Sequence, residues 1–365
     1  MKNTFGTAVS VTLFGESHGP GLGIVLDGLA PGIRVDEAFI ARQLTLRRPA
    51  GAISTARQEP DEYQLLSGVF EGKTTGTPLC ILIPNTQTRS RDYAATRSLA
   101  RPGHADYTAF CKYHGFEDYR GGGHFSGRIT AALVAGGAIA LTALEQKGIV
   151  LGTHIARCGG VADRGFENLP QDVAALNEKT FAVLDEARGE EMTAAILAAS
   201  QAGDSVGGVL ETAVLGLPAG VGEPWFDTVE GLLSHALFSI PAVKGVEFGD
   251  GFALAEGTGS QANDSFYMDE GLVRTRTNHN GGVNGGITNG MPVVFRCAVK
   301  PTPSIYQPQQ TVDFLRGQDA ELHLQGRHDP AIVHRARVVV DSVAALVLCD
   351  LLAGRFGTDY LGGGA

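Results

Sequence analysis

Lysine is scarce in this chain: seven lysines stand beside 22 arginines among 365 residues. Arginine's planar fork suits a bidentate grip on phosphate or carboxylate in a partly dry site, so the imbalance points to a small polyanionic ligand. Aromatic residues are only 7% of the chain and are not interleaved with basic ones, which excludes a stacking platform for single-stranded nucleic acid. A net charge of −10 also disfavours non-specific binding to nucleic acid or to an anionic membrane. No cysteine pair has C-x-x-C spacing. Cys80, Cys111, Cys158, Cys297 and Cys349 are scattered, arguing against a zinc site or a disulfide framework and for small buried hydrophobes. The opening "MKNTFGTAVSVTLFGESHG" has no apolar core of the length a secretion signal needs, and every long apolar run carries a charge or a glycine cluster. A soluble, cytoplasmic protein without a membrane span is expected. The G-x-x-x-x-G-K-[ST], H-E-x-x-H and G-x-S-x-G templates are missing, and "GPGLGI" and "GDGFAL" lack the later acid and βαβ setting of a dinucleotide fingerprint. No proline-rich or serine-rich linker divides the chain, so one domain over residues 1–365 is expected.

What is present is a composition that buries well, 43% hydrophobic and 19% charged. Charge is uneven: from Arg42 to Arg128, ten arginines and two lysines face eight acids, so the remainder carries −14. The pattern reads as a strand-rich mixture of α and β without regular βα alternation. "AVSVTLFG", "GLGIVLDGL", "LLSGVF", "PLCILIP", "VGGVLETAVLGLP" and "VKGVEFGDGFAL" read as strands and turns. "DEAFIARQLTLRR" reads as a helix capped by Asp36, with further helices in "EEMTAAILAASQ" and "WFDTVEGLLSHALFSI". Two very apolar helices are expected, one over Ser126–Lys147 and one from Pro330 to near Gly354 with Asp329 as N-cap. "TTGTPLCILIP" from Thr74 echoes "TNGMPVVFRCAVKP" from Thr288, which marks either a duplicated half or the chance likeness of a turn and a strand.

Three loops are dense in chemistry. "RGGGHFSGR", Arg120 to Arg128, offers bare backbone between guanidiniums; it reads either as an anion cradle or as a flexible loop capped by Ser126. "FGESHGPGLG" holds Glu16, Ser17 and His18 in a glycine-bounded turn, and "RPGHADY" sets His104 between a Pro-Gly turn and a helix start at Asp106. A loop histidine can move a proton near neutral pH, although a lone one is more often structural. "GRHDPAIVHR" puts a cation, an imidazole and a carboxylate at a helix N-terminus, where an anion is favoured and where Asp329 could equally be a cap.

Together, "GESHGPGLG", "RPGHADYTAFCKYHGFEDYRGGGHFSGR" and "GRHDPAIVHRARVVVDSVAA" resemble the three signature regions of chorismate synthases, in the same order. "RRPAG", "VKGVEFGDGF", "NHNGGVNGGITNG" and "KPTPS" extend the resemblance from about residue 6 to residue 353. It implies an α+β fold, a β-α-β sandwich of antiparallel sheets enclosing long buried helices, assembled as a homotetramer. It implies the 1,4-elimination of phosphate from 5-enolpyruvylshikimate 3-phosphate, giving chorismate, with reduced FMN and no net redox change.

By the same resemblance, His18 protonates the departing phosphate, His104 keeps the reduced flavin in its productive protonation state, and Asp329 acts near the flavin where the substrate's C6 hydrogen leaves. Ser17 and Ser126 support these sites. Flavin contacts map to His124, Phe125, Ser126, Pro241, Ala242, Gly285, Lys300, Pro301, Thr302, Pro303, Ser304 and Arg327. Arg42, Arg47, Arg48, Arg101, Arg128 and Arg327 are candidates for gripping the substrate's anionic groups. Many relatives carry arginine where this chain has His124, and another soon after "RRP", where it reads "AGAIS" with Arg57 a displaced substitute. Without an obvious insertion, the chain resembles the forms that receive reduced flavin from an external reductase, with NADPH only an indirect reductant. A flavin oxidoreductase would instead transfer electrons stoichiometrically, and a flavin-storage protein would need neither histidine.

Overall fold

The computed structural model describes residues 2–49, 51–55, 60–86, 97–324 and 328–363, so Arg57 and Arg327 lie outside the described residues. The first half of the chain forms β1 (Thr4–Phe5), β2 (Ser10–Gly15), β3 (Gly21–Asp27), α1 (Glu37–Arg47), β4 (Gln64–Ser67), β5 (Val69–Phe70), β6 (Lys73–Thr74), β7 (Leu79–Pro84), α2 (Asp106–Tyr113) and α3 (Thr130–Glu145). The second forms β8 (Val150–Cys158), β9 (Val161–Ala162), α4 (Leu169–Glu178), α5 (Glu186–Gln201), β10 (Gly208–Leu215), α6 (Val229–Leu237), β11 (Val243–Phe248) and α7 (Gly259–Ala262). It continues with β12 (Phe266–Asp269), β13 (Leu272–Thr275), β14 (Val283–Asn284), β15 (Ile287–Thr288), β16 (Val293–Val299), β17 (Gln309–Asp313), β18 (Gln318–Leu322) and α8 (Val333–Phe356).

Two antiparallel five-stranded sheets, ordered β1-β2-β3-β7-β4 and β11-β16-β10-β8-β9, flank α3 and α8. The alternation of LCILIP in β7 buries Leu79, Ile81 and Ile83 on the helix side. Helix α3 meets the first sheet at Gly136, where Ile24 and Leu26 press close. Helix α8 meets the second, with Asp341 accepting a 2.5 Å hydrogen bond from Thr153 on β8. The two helices cross at Gly137: a β-carbon there would lie 2.2 Å from Ser342 Cβ, so a missing side chain sets how closely they approach. By length and hydropathy, Gly127–Glu145 does reach the size of a membrane span, correcting the reading of its glycines as disqualifying, but 89% of it is buried inside the protein.

The faint echo at Thr74 and Thr288 is a structural repeat. Thr74 N–H donates to Ile33 O and Thr74 O accepts from Gly32, while its hydroxyl accepts from Ile33 N and donates to Ala30 O. Thr288 makes the same four bonds with Val221, Gly220, Val221 and Pro218. The order β2, β3, α1, β4, β7, α3 recurs as β8, β10, α6, β11, β16, α8, and matching strands take matching places in their sheets. Both outer strands carry a bulge, at Leu65/Ser67 in β4 and at Val243/Gly245 in β11, although at different points along the matched ladders.

Some expectations need correction. Helix α8 begins at Val333 rather than Pro330, and Asp329 does not cap it; the N-cap is Ile332, without a side-chain bond. Helix α3 begins at Thr130, because a short 3-10 turn over Gly127–Ile129 carries Ser126's cap. Strand β8 and helix α4 gave no distinct signal, since β8's run is broken by Gly152 and His154. Cys111 is exposed and Cys80 half-buried, unlike the other three cysteines.

His154 on β8 is fully buried and bridges two carboxylates, 2.9 Å from Asp163 and 2.9 Å from Glu211 on β10. Burial opposes its charge, but the two carboxylates outweigh burial and raise its pKa above the ordinary value. Its contribution is therefore present in full below the unfolded pKa near 6.5 and is lost as pH rises through the higher folded value. Chemical denaturation should show the stability gap between the wild type and His154→Gln narrowing as pH rises above 6.5. Gly137→Ala should destabilise the fold by about 1–3 kcal/mol through overpacking, read as a lower denaturation midpoint with unchanged m-value.

Candidate active site

The N-terminal ends of α3 and α8 open onto two adjoining cavities of about 710 and 270 Å³. Ser126, Gly127, Thr130, Pro241 and Asp329 line both. The larger has a mostly apolar wall that includes Ile240, Pro241, Ile332, Val343 and Leu346. Its polar groups come from His104, His124, Lys300, Thr302, Ser304 and Asp329. The smaller is walled by Arg47, Arg48, Arg128 and Arg335 with Asp61 and Asp329. Paired helix N-termini add their own partial positive charge to that wall.

The glycine trio serves imidazoles. Gly121, Gly122 and Gly123 all have left-handed φ. A β-carbon on Gly121 would stand 2.1 Å from His18 Cε1, and one on Gly122 would stand 3.3 Å from His104 Cε1. The two histidines thus lie against neighbouring residues of one turn. The amide of Gly122 donates to Tyr119 O rather than to a ligand. The flanking guanidiniums each find a carboxylate of the protein: Arg120 binds Asp118 at 2.8 Å and Arg128 binds Asp61. The Arg120 hydrogen bond holds the Asp118 carboxyl below its usual range.

His104 is oriented by Asp106, whose Oδ1 is 2.9 Å from Nδ1. Burial would raise the Asp106 pKa, but bonds from Arg101 and His104 prevail and hold it well below the usual carboxylate range. Arg101 Nη2 stands 3.1 Å from the same nitrogen, so Nδ1 is held between a carboxylate and a guanidinium while the Nε2 edge lies against Gly122. Arg101 is committed to this task, giving Nε and Nη2 to Asp106 at 2.8 and 2.7 Å, and does not line either cavity. His18 is buried beneath the glycine turn with Nδ1 3.1 Å from Ser17 Oγ, and that hydroxyl is 3.2 Å from the carbonyls of Arg120 and Gly121. Neither Ser17 nor His18 is among the described residues lining the two cavities. Asn85 links their loop to the arginine wall, donating to Glu16 O and Gly19 O and accepting from Arg128 Nε at 3.3 Å.

Asp329 stands at the boundary of both cavities, accepting from Thr55 N at 2.9 Å and from Arg335 at 2.6 Å. Arg335 also donates to Arg47 O at 2.8 Å, coupling α8 to the end of α1. His334, driven down to about 4 chiefly by burial, is 2.8 Å from Ser54 Oγ and pins the same loop as Thr55. His124 Nδ1 donates to Gly15 O at 2.7 Å and so holds the end of β2. Phe125, Ala242 and Pro303 line the larger cavity and Pro301 does not.

Two proposed contacts lie elsewhere. Arg42 is exposed on α1 and pairs with Glu178 at 3.2 Å. Gly285 sits exposed at the tip of the β14–β15 hairpin, outside both linings. Sequence reading missed Asp61, Asp106 and Arg335. Asp106 had a local signal, two residues after His104 in a turn; Asp61 had none, because Arg128 lies 67 residues away, and Arg335 reads as one more helix cation although Asp329 is only six residues before it.

The family model for chorismate synthase matches residues 9–353. The chain belongs to the chorismate synthase family. It is 47% identical to the chorismate synthase of Pyrococcus abyssi over 350 residues, 96% of this chain and 97% of that one. It is 46% identical to the chorismate synthase of Lachnospira eligens, over 96% of this chain and 94% of that one. A crystal structure of chorismate synthase superposes with TM-score 0.77 at 30% identity, covering 98% of this chain and 95% of the other, so the α+β fold of antiparallel sheets around buried helices is shared. The activity is the chorismate synthase lyase reaction of the shikimate pathway, which eliminates phosphate to form chorismate.

Gly121→Ala should push His18 aside without unfolding the protein. A loss of about 10²-fold in kcat is expected from so small a misplacement; wild-type turnover in a folded variant would show that the turn does not position His18.

Proposed function

We propose that the larger cavity binds reduced FMN and that the arginine cavity binds the anionic groups of 5-enolpyruvylshikimate 3-phosphate. The observation that carries this reading is that His104 and Asp329, distant in sequence, line one cavity with Lys300, Thr302, Pro303 and Ser304, while Asp329 also borders the arginines. The donor set fits a flavin: an apolar wall for a flat ring, histidine and aspartate at its polar edge, and Lys300 and Ser304 for an anionic tail. Thr302 Oγ1 is buried there without a hydrogen-bond partner among the described residues, as a donor awaiting a ligand would be. When bound, the reduced flavin supplies electron density to the allylic carbon–oxygen bond without net redox change.

The chain's own residues do the rest. Arg47, Arg48 and Arg128 hold the substrate's anions and stabilise charge developing on the departing phosphate. His18, with Nδ1 donated to Ser17 Oγ, delivers a proton from Nε2 in its imidazolium form. His104 would maintain the protonation state of the flavin's ring edge, and Asp329, on the same cavity wall, would assist that edge in taking the proton that the substrate loses from C6. Ser126 caps the turn that presents Arg128, its hydroxyl accepting from Arg128 N at 3.3 Å. Reduced flavin comes from an external reductase, so NADPH acts only indirectly, and the enzyme works in the cytoplasm as a homotetramer.

Anaerobic incubation with reduced FMN and 5-enolpyruvylshikimate 3-phosphate should release phosphate and form chorismate in equal amounts, with the flavin still reduced at the end. Flavin oxidised in proportion to product would overturn the reading. His18→Ala should bind both ligands and lose about 10²- to 10⁴-fold in kcat; turnover at the wild-type rate would remove His18 from the chemistry.

A further inference from the structure

We propose that Asp61 is a positioning residue for the arginine cavity, an internal counter-anion that keeps three guanidiniums assembled before the substrate arrives. The inference rests on the reading that those arginines grip the substrate. Asp61's side chain is wholly buried, and its carboxylate accepts from Arg47 Nη1 at 3.1 Å and from Arg128 Nη1. Arg48 Nε stands 3.7 Å from the same carboxylate, beyond hydrogen-bond reach, and is buried without a partner among the described residues. One carboxylate therefore gathers three like charges, fixes two of them, and leaves a donor of the third over.

The arithmetic of charge gives this arrangement a consequence. Arg335 and Asp329 neutralise one another at 2.6 Å. Three guanidiniums gathered on Asp61 beside a cavity of about 270 Å³ favour an anion with several oxygens, such as a phosphate monoester. Without Asp61, mutual repulsion would splay the forks and the binding geometry would have to be rebuilt with every substrate molecule. Its backbone supports a built position: Asp61 has φ +50°, a left-handed conformation that aspartate, asparagine and glycine tolerate better than other residues.

That φ supplies the test. Asp61→Gly suits the backbone and leaves a carboxylate-sized gap, while Asp61→Asn keeps the shape and removes the charge. Steady-state assays of the flavin-loaded enzyme under anaerobic conditions should show KM for 5-enolpyruvylshikimate 3-phosphate raised at least about tenfold in both variants, the scale of a lost charge-assisted bond. Added formate should recover several-fold of the lost kcat/KM in Asp61→Gly, with no recovery in Asp61→Asn, where the gap is filled. A purely structural role would lower the melting temperature and leave KM and the formate response unchanged, and that result overturns the proposal. Arg48→Ala serves as the control on the underlying reading. If it raises KM while Asp61→Asn does not, Asp61 alone loses its role; if it leaves KM unchanged, the arginine cavity is not the anion site and both readings fall.

Discussion

The crossing of α3 and α8 at Gly137 and Ser342 is the contact on which the rest of the molecule depends. It brings the first turns of two buried helices to one place, and two of the three signature-like loops lead into those turns. The "RGGGHFSGR" loop precedes α3, and His328 and Asp329 precede α8. A side chain at Gly137 would hold the helices apart, and with them the arginine wall from the Asp329 boundary. Each helix end also contributes unsatisfied amides, so the site is electropositive before any side chain is counted.

The repeated plan explains how one site combines two unlike cavities. Pro49 follows α1 and Pro241 follows α6 at the same distance from their N-caps, Asp36 and Thr228. Just before Pro49 stand Arg47 and Arg48; just before Pro241 stand Ser239 and Ile240. Equivalent backbone thus presents guanidiniums to the smaller cavity at one end and an apolar wall shared by both cavities at the other. The two halves have kept a fold and diverged in charge.

Neutralisation within the protein is the second theme. Arg120 meets Asp118, Arg101 meets Asp106, Arg335 meets Asp329, and Arg47 and Arg128 meet Asp61. Partly buried arginines are costly without partners, so the chain provides carboxylates that hold them in shape at the expense of freely available charge. Counting arginines in the sequence therefore overstates what a ligand meets, and Arg101 and Arg42 show how.

Local order determined what could be read from the sequence alone. The N-cap of α1 at Asp36, the alternation in β7, the apolar lengths of α3 and α8, and the loops holding His18, His104 and Asp329 all follow from neighbours within a few residues, where capping and periodicity act. Only the tertiary structure decided that Asp329 faces two cavities instead of capping α8, that the glycines make room for two imidazoles, and that Asp61 gathers Arg47 and Arg128. Those outcomes depend on partners brought together by helix crossing and sheet packing, and no periodicity or spacing encodes a contact between residues so far apart in the chain.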